Sequence, residues 1–212
     1  LIFSLSEPFS SHTWWPVKDD NTDKATTDLA FTVPNTLKVA SNGIRQGIDV
    51  VAGNKLKYRC KTDYQTSPYL FCFSATNYNE FTDTWTHPTA PGGSMLMQFF
   101  IYPASDTPTN RNAWLATKQM LTTLSSLYGL YAFAGEKYGI YQFGFGGGME
   151  HQTMTGQGTF SNSVTAHELG HQWWGDMVTC ADWHHIWLNE GSATYTEALF
   201  LSLCLMAFYY LF

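Results

Sequence analysis

Charge is the scarcest ingredient of this chain of 212 residues: Asp, Glu, Lys and Arg make up 13% of it, against a usual share of roughly 25%. Positive charge is scarcer still, with 11 Lys and Arg against 17 Asp and Glu and a net charge of −6. A surface built for phosphate backbones carries the opposite sign, so no nucleic-acid partner is expected. Little charge combined with 17% aromatic and 44% hydrophobic residues excludes intrinsic disorder, which needs the reverse composition. Cysteine is sparse as well. Cys60, Cys72, Cys180 and Cys204 form no Cys-x-x-Cys pair, which excludes a zinc knuckle and a thioredoxin-type site. Cys60 and Cys72 flank a Ser67-Pro68 turn signal, as buried free thiols or as partners across a hairpin. Long apolar runs are missing too. The uncharged stretch 198–212 falls short of the ~20 residues that span a bilayer. Leu1-Ile-Phe-Ser-Leu5 has neither the basic nor the apolar region of a secretory leader, and no Met opens it. A cytosolic start and a start upstream of this sequence both fit.

No repeat or low-complexity linker divides the chain, but its pattern changes near Pro103. Before that point, short alternating or apolar runs predict strands: Asp28–Val33, Leu37–Ala40, Tyr69–Phe73 and Met95–Tyr102. Lys55, Lys57, Arg59 and Lys61 alternate along a further strand with one solvated face. Beyond it, apolar residues at near-helical spacing predict a helix over 111–128 that stops at Gly129. A strand over 138–145 leads into three glycines. Ser161-Asn-Ser163 offers caps for a helix through Trp174, and a last helix starts near Leu188. The expected class is therefore α+β, with residues 1–103 a β domain and residues 104–212 a mixed domain whose helices cover a small sheet.

The strongest chemical signal is His167-Glu-Leu-Gly-His171. On a helix, residues four apart share a face, so both imidazoles can reach one metal ion. Glu168, one step round, can reach the water that attacks the substrate. Hydrolytic zinc takes three protein ligands and keeps one position open. Glu190, with eighteen residues between it and His171, in Trp187-Leu-Asn-Glu190-Gly191, supplies the third. This is the two-His-plus-Glu set of gluzincins. The metzincin alternative needs a third His shortly after His171, where Asp176 and Met177 stand. The second signal is Gly146-Gly-Gly-Met-Glu150-His151. It fails as a phosphate loop, since Met149 takes the place of the third Gly and no Gly-Lys-Ser/Thr follows. It reads instead as a strand whose glycines admit a peptide backbone. Glu150 then sets a carboxylate beside the bound chain, where it can pair with a free terminal amine. Standing alone, it could equally be an edge-strand residue in water.

These residues resemble the aminopeptidase N-like zinc metallopeptidases. The family's Gly-x-Met-Glu-Asn motif is similar to Gly147-Gly148-Met149-Glu150-His151, and its zinc motif to Val164–Asp176 followed by Trp187–Gly191. Trp14-Trp-Pro-Val-Lys-Asp19 resembles its Trp-Phe-Pro-Cys-x-Asp segment, and Ser41-Asn-Gly43 and Glu136-Lys-Tyr-Gly139 follow in its order. The resemblance implies a zinc-dependent aminopeptidase acting on peptides with a free N-terminus. In it His167, His171 and Glu190 bind one Zn(2+) per chain. Glu168 is the proton-transferring base, Glu150 holds the substrate amine with Glu7 beside it, and Gly147 and Gly148 line the peptide edge. Glu197 could orient a zinc histidine or face solvent. In fold, it implies the C-terminal part of a saddle-like, antiparallel β domain and the first lobe of a thermolysin-like catalytic domain, truncated at its C-terminus. Two departures stand out. His151 replaces the usual Asn, a form that favours an extracellular or periplasmic protein. The family's transition-state tyrosine lies beyond this sequence, and Tyr195, Tyr209 and Tyr210 do not match it, so a larger enzyme with a helical C-terminal domain is expected. A thermolysin-type endopeptidase and a non-catalytic zinc-binding fragment are the alternatives. His184 and His185 fall off the zinc spacing and read as loop residues, His12 and His87 have no evident partner, and Trp173 and Trp174 read as packing.

Overall fold

The computed structural model describes the backbone of residues 1–209 and the side chains of residues 1–203. Tyr210 and the side chains of Cys204 and Tyr209 lie outside them. Two three-stranded antiparallel sheets open the chain. One joins β1 (Ile2–Phe3), β6 (Phe73–Thr76) and β3 (Lys38–Ser41) in that order. The other joins β2 (Ala25–Pro34), β5 (Lys55–Thr66) and β4 (Ile44–Val51). The expected alternation holds along β5. Arg59 is exposed and pairs with Asp49 of β4 at 2.8 Å, while Tyr58 and Cys60 are buried. Cys60, Cys72 and Cys180 are all buried free thiols.

A five-stranded mixed sheet follows, built from β7 (Asn79–Thr86), β8 (Ser94–Ile101), β9 (Lys137–Gln142), β10 (Gly148–Met149) and β11 (Thr155–Gln157). Its order is β10-β11-β9-β8-β7. β8 and β9 are parallel, so the chain must cross over between them. It does so through α1 (Pro108–Leu115) and α2 (Thr117–Tyr128). α3 (Asn162–His171) and α4 (Trp187–Tyr209) complete the α+β architecture. No helix among the described residues is long and apolar enough to cross a membrane.

The main core lies between this sheet and the helices. Met97, Phe99, Tyr138 and Ile140 of the sheet meet Trp114, Met120, Leu121, Leu124, Leu169 and Trp173, all buried. Trp114 is at 0% exposure, faces Phe160 at 4.8 Å between ring centroids and donates its indole N–H to the Thr159 carbonyl at 3.3 Å. Trp114→Ala is expected to cost about 3–5 kcal/mol, as truncation of a core aromatic does. Urea unfolding of the parent and the variant measures it.

The structure departs from the sequence expectations in several places, among them the helix expected through Trp174, which ends at His171, and the strand expected over 138–145, which ends at Gln142. The run Tyr69–Phe73 is not one strand: Pro68–Leu70 forms a 3-10 turn, and pairing begins at Phe73. Pro68 lacks the N–H that a ladder needs. The helix expected over 111–128 starts earlier, at Pro108, where the Thr107 hydroxyl accepts from the Asn110 N–H at 3.2 Å. It then breaks at Ala116, where the Thr117 hydroxyl bonds back to the Trp114 carbonyl. Finally, the sheet runs through the change of pattern at residue 103, with β7 and β8 before it and β9, β10 and β11 after it.

Polar contacts tie the three sheets together. Arg45 of β4 holds Glu80 of β7 in a two-pronged pair at 2.8 and 3.2 Å. Gln98 of β8 donates to the same carboxylate at 2.7 Å and accepts from Lys137 of β9 at 3.0 Å. Lys137, fully buried, also donates to the Ser41 carbonyl of β3 at 2.8 Å. Asn42 reaches further: its amide donates to the Gln152 carbonyl at 2.7 Å and its oxygen accepts from the Cys72 N–H at 2.7 Å. The β-rich part is thereby fastened to the segment that follows Glu150.

Candidate metal centre

α3 ends on His171, so His167, Glu168 and His171 share its C-terminal end. Four-residue spacing puts the two imidazoles on one face, with their Nε2 atoms 3.2 Å apart. Glu190 in the first turn of α4 brings Oε2 to 3.4 Å from His167 Nε2 and 3.6 Å from His171 Nε2. Atoms held by one tetrahedral zinc at about 2.0–2.1 Å stand roughly 3.3 Å from one another. All three edges of the triangle are close to that spacing, and the donor types are those zinc accepts. These three residues could hold a zinc ion without rearrangement.

The ring orientations suit the same purpose. His171 Nδ1 lies 3.1 Å from the Trp174 carbonyl, so a proton on Nδ1 has its acceptor there and Nε2 is the nitrogen turned toward His167 and Glu190. His167 Nδ1 faces Glu197 Oε2 at 3.8 Å, and the other oxygen of Glu197 takes the Ser163 hydroxyl. Glu197 thus sits on the histidine side of its helix.

Around this triangle lie more carboxylates than cations. Glu150, Glu168 and His171 have ligand atoms within 4.8 Å of one another, and so do Glu7, Glu150 and Glu190. Burial pushes the Glu7 carboxyl up to about 8, with the charges of Glu150 and Glu190 adding to it. Burial, again reinforced by Glu150, holds Glu168 well above the usual carboxylate range. Burial alone would lower His171, but Glu150, Glu190 and Glu168 outweigh it and raise the ring to about 10. Among the described residues no Lys or Arg pairs with any of these four carboxylates. Glu150 is buried, and its Oε1 has no hydrogen-bond partner there. A pocket with this charge deficit suits a cation at the triangle and a second one near Glu150.

The structure brings His167, Glu168, His171, Glu190 and Glu150 together, with Glu7 joining them from the far end of the chain. Gly148 lies on β10, at the edge of the sheet, and Gly147 precedes it with φ +83°. A Cβ at Gly148 would overlap the Glu168 carboxylate, so any larger residue there would displace that side chain. His184 and His185 are exposed and pair with Asp182, and His12 pairs with Asp19. Trp173 is in the core.

Gln172 is a further residue of the site that the sequence pattern does not announce. Its amide donates to the Glu150 carbonyl at 2.9 Å, and its oxygen accepts from the Thr153 N–H at 3.0 Å and the Tyr131 hydroxyl at 3.1 Å. It binds the end of the histidine helix to the segment that follows β10. Its position directly after His171 was the only signal, and sequence alone does not separate a buried amide from a surface one.

Residues 149–206 match the Peptidase family M1 domain. The chain is similar to aminopeptidase N of Haemonchus contortus, with 26% identity over 92% of this chain and 21% of that protein. It is also similar to probable aminopeptidase 1 of Sulfurisphaera tokodaii, with 29% identity over 92% of this chain and 26% of that protein. Among solved structures, the M1 zinc metallopeptidase of Deinococcus radiodurans superposes with a TM-score of 0.82 at 26% identity, covering 94% of this chain and 45% of that one. A variant of that enzyme bound to a Tyr-Ser-Ala substrate gives the same TM-score at 27% identity. The chain therefore spans about a quarter or less of these two curated relatives and under half of the solved structures.

Proposed function

Starting from this resemblance to the aminopeptidase N-like M1 zinc metallopeptidases, we propose that the chain carries the zinc site and amine pocket of an aminopeptidase. That enzyme removes the N-terminal residue of peptides. The observation that carries the reading is Glu150: buried, with an oxygen left without a partner, and within 4.8 Å of Glu168 and His171 on one side and of Glu7 and Glu190 on the other. A charge buried at this cost needs a cationic partner. A peptide's terminal ammonium supplies one, which fixes the scissile bond one residue away.

His167, His171 and Glu190 hold the zinc, which when bound supplies Lewis-acid polarisation of the scissile carbonyl and the attacking water. The chain's own groups do the rest. Glu168 takes a proton from the water on a carboxylate oxygen and delivers it to the leaving nitrogen. Glu150 and Glu7 bind the α-ammonium, and the edge strand at Gly147 and Gly148 lies beside the peptide backbone. Trp174 fixes the tautomer of His171 through its carbonyl.

A thermolysin-type endopeptidase would use the same zinc set without selecting chain ends. An aminoacyl arylamide and its N-acetylated form separate the two. The aminopeptidase reading expects zinc-dependent release from the free amine alone. Equal cleavage of both substrates sinks it.

A further inference from the structure

We propose that the hydroxyl of Tyr69, a residue of the β-rich part, is a positioning group for the metal centre, acting through Asn189 and Gly175. The inference rests on the reading of His167, His171 and Glu190 as the zinc ligands.

Tyr69 stands in the 3-10 turn after β5 and is 1% exposed. Its hydroxyl donates to the Gly175 carbonyl and accepts from the Asn189 side-chain amide, both at 3.3 Å. Each contact meets a segment that carries a ligand. Asn189 is itself buried and directly precedes Glu190, so anchoring its amide fixes the rotation of the first turn of α4 and with it the approach of the Glu190 carboxylate. Gly175 belongs to the turn in which the Trp174 carbonyl receives His171 Nδ1. That turn is tight: Gly175 has φ +145°, and a Cβ there would lie 3.2 Å from His171 Nδ1 and 3.4 Å from the Asn189 amide nitrogen. The ring of Tyr69 meets a third segment. It clusters with Leu70 and with Met149, the neighbour of Glu150, and stands edge-on to Trp183 at 5.0 Å.

One buried side chain, more than 100 residues away in sequence from both of its polar partners, thus touches the neighbours of Glu190, of the His171 turn and of Glu150. Neither Asn189 nor Gly175 offers an atom to the metal itself, so the role is one of orientation. Groups that orient metal ligands typically contribute about 10- to 100-fold to metal affinity.

Tyr69→Phe removes only the hydroxyl and keeps the ring in its cluster. The test is zinc affinity by chelator competition, read at a temperature where the zinc-free chain is fully folded, with the visible spectrum of the cobalt-substituted chain as a second reading. Expected is zinc binding weakened about 10-fold or more and an altered cobalt spectrum. A hydroxyl that served folding alone would lower the melting temperature of the zinc-free chain and leave both readings unmoved. That result overturns the proposal. Asn189→Ala cuts the same path from the other side and is expected to weaken zinc similarly. Because both act through one bond, the double variant should lose little more than the worse single one. If Tyr69→Phe does not fold, Asn189→Ala decides alone, and unchanged affinity in it overturns the proposal. A parent chain that binds no zinc overturns the ligand assignment together with the inference. A parent that binds zinc as tightly as the variants overturns the inference alone.

Discussion

Glu168→Gln is expected to lower peptide hydrolysis roughly 100- to 10,000-fold, the range a general acid–base group contributes, while zinc stays bound. Glu168 adjoins His167 in sequence but is not part of the triangle formed by His167, His171 and Glu190. It is 6% exposed, and burial together with Glu150, Glu190 and Glu7 raises its proton affinity. A carboxylate at this place can accept a proton from water and return it to a leaving nitrogen. An amide of the same shape can do neither. Shape matters here because the backbone of Gly148 lies directly against this side chain. Glutamine fits the space, so a loss of rate with intact metal content isolates the proton transfer. Parallel zinc analysis and turnover measurements check it. A variant that loses its zinc would move Glu168 into the ligand set.

The second large effect is expected at Glu150. Removing one partner of a buried ion pair costs about 3–5 kcal/mol. Glu150→Gln should therefore lower kcat/KM for substrates with a free terminus by roughly 100-fold or more. The discrimination against N-acetylated substrates should shrink with it. Initial rates on the free and the N-acetylated substrate, taken on the same preparation, check it. A variant that discriminates between free and blocked termini as sharply as the parent would remove Glu150 from the amine pocket.

What the sequence made legible is what local periodicity can encode. The i, i+4 histidines, the base between them and the glutamate that opens α4 all follow from helical geometry and ligand chemistry. The edge strand at Gly148 followed from glycine's fit to a close backbone. Contacts between distant segments were not legible in the same way. Glu7 reached the pocket only through a family resemblance, since nothing in Ser6-Glu7-Pro8 announces a partner at Glu150. Gln172 and Tyr69 carry no local signal, because their amide and hydroxyl gain meaning only when α3, α4 and the turn after β5 are packed together. The fold shows the same division. The alternation of β2 and β5 could be read in advance, whereas the break at Ala116 could not. At that break Thr117 bonds back to the Trp114 carbonyl and Trp114 packs against Phe160, contacts that no local pattern announces.

The most direct test is the zinc content of the purified chain after dialysis against trace zinc, set beside that of His171→Ala. With His167, His171 and Glu190 as the ligands, the parent should retain one zinc per chain and His171→Ala should retain none. A parent without zinc, or a His171→Ala variant that keeps it, would contradict the assignment.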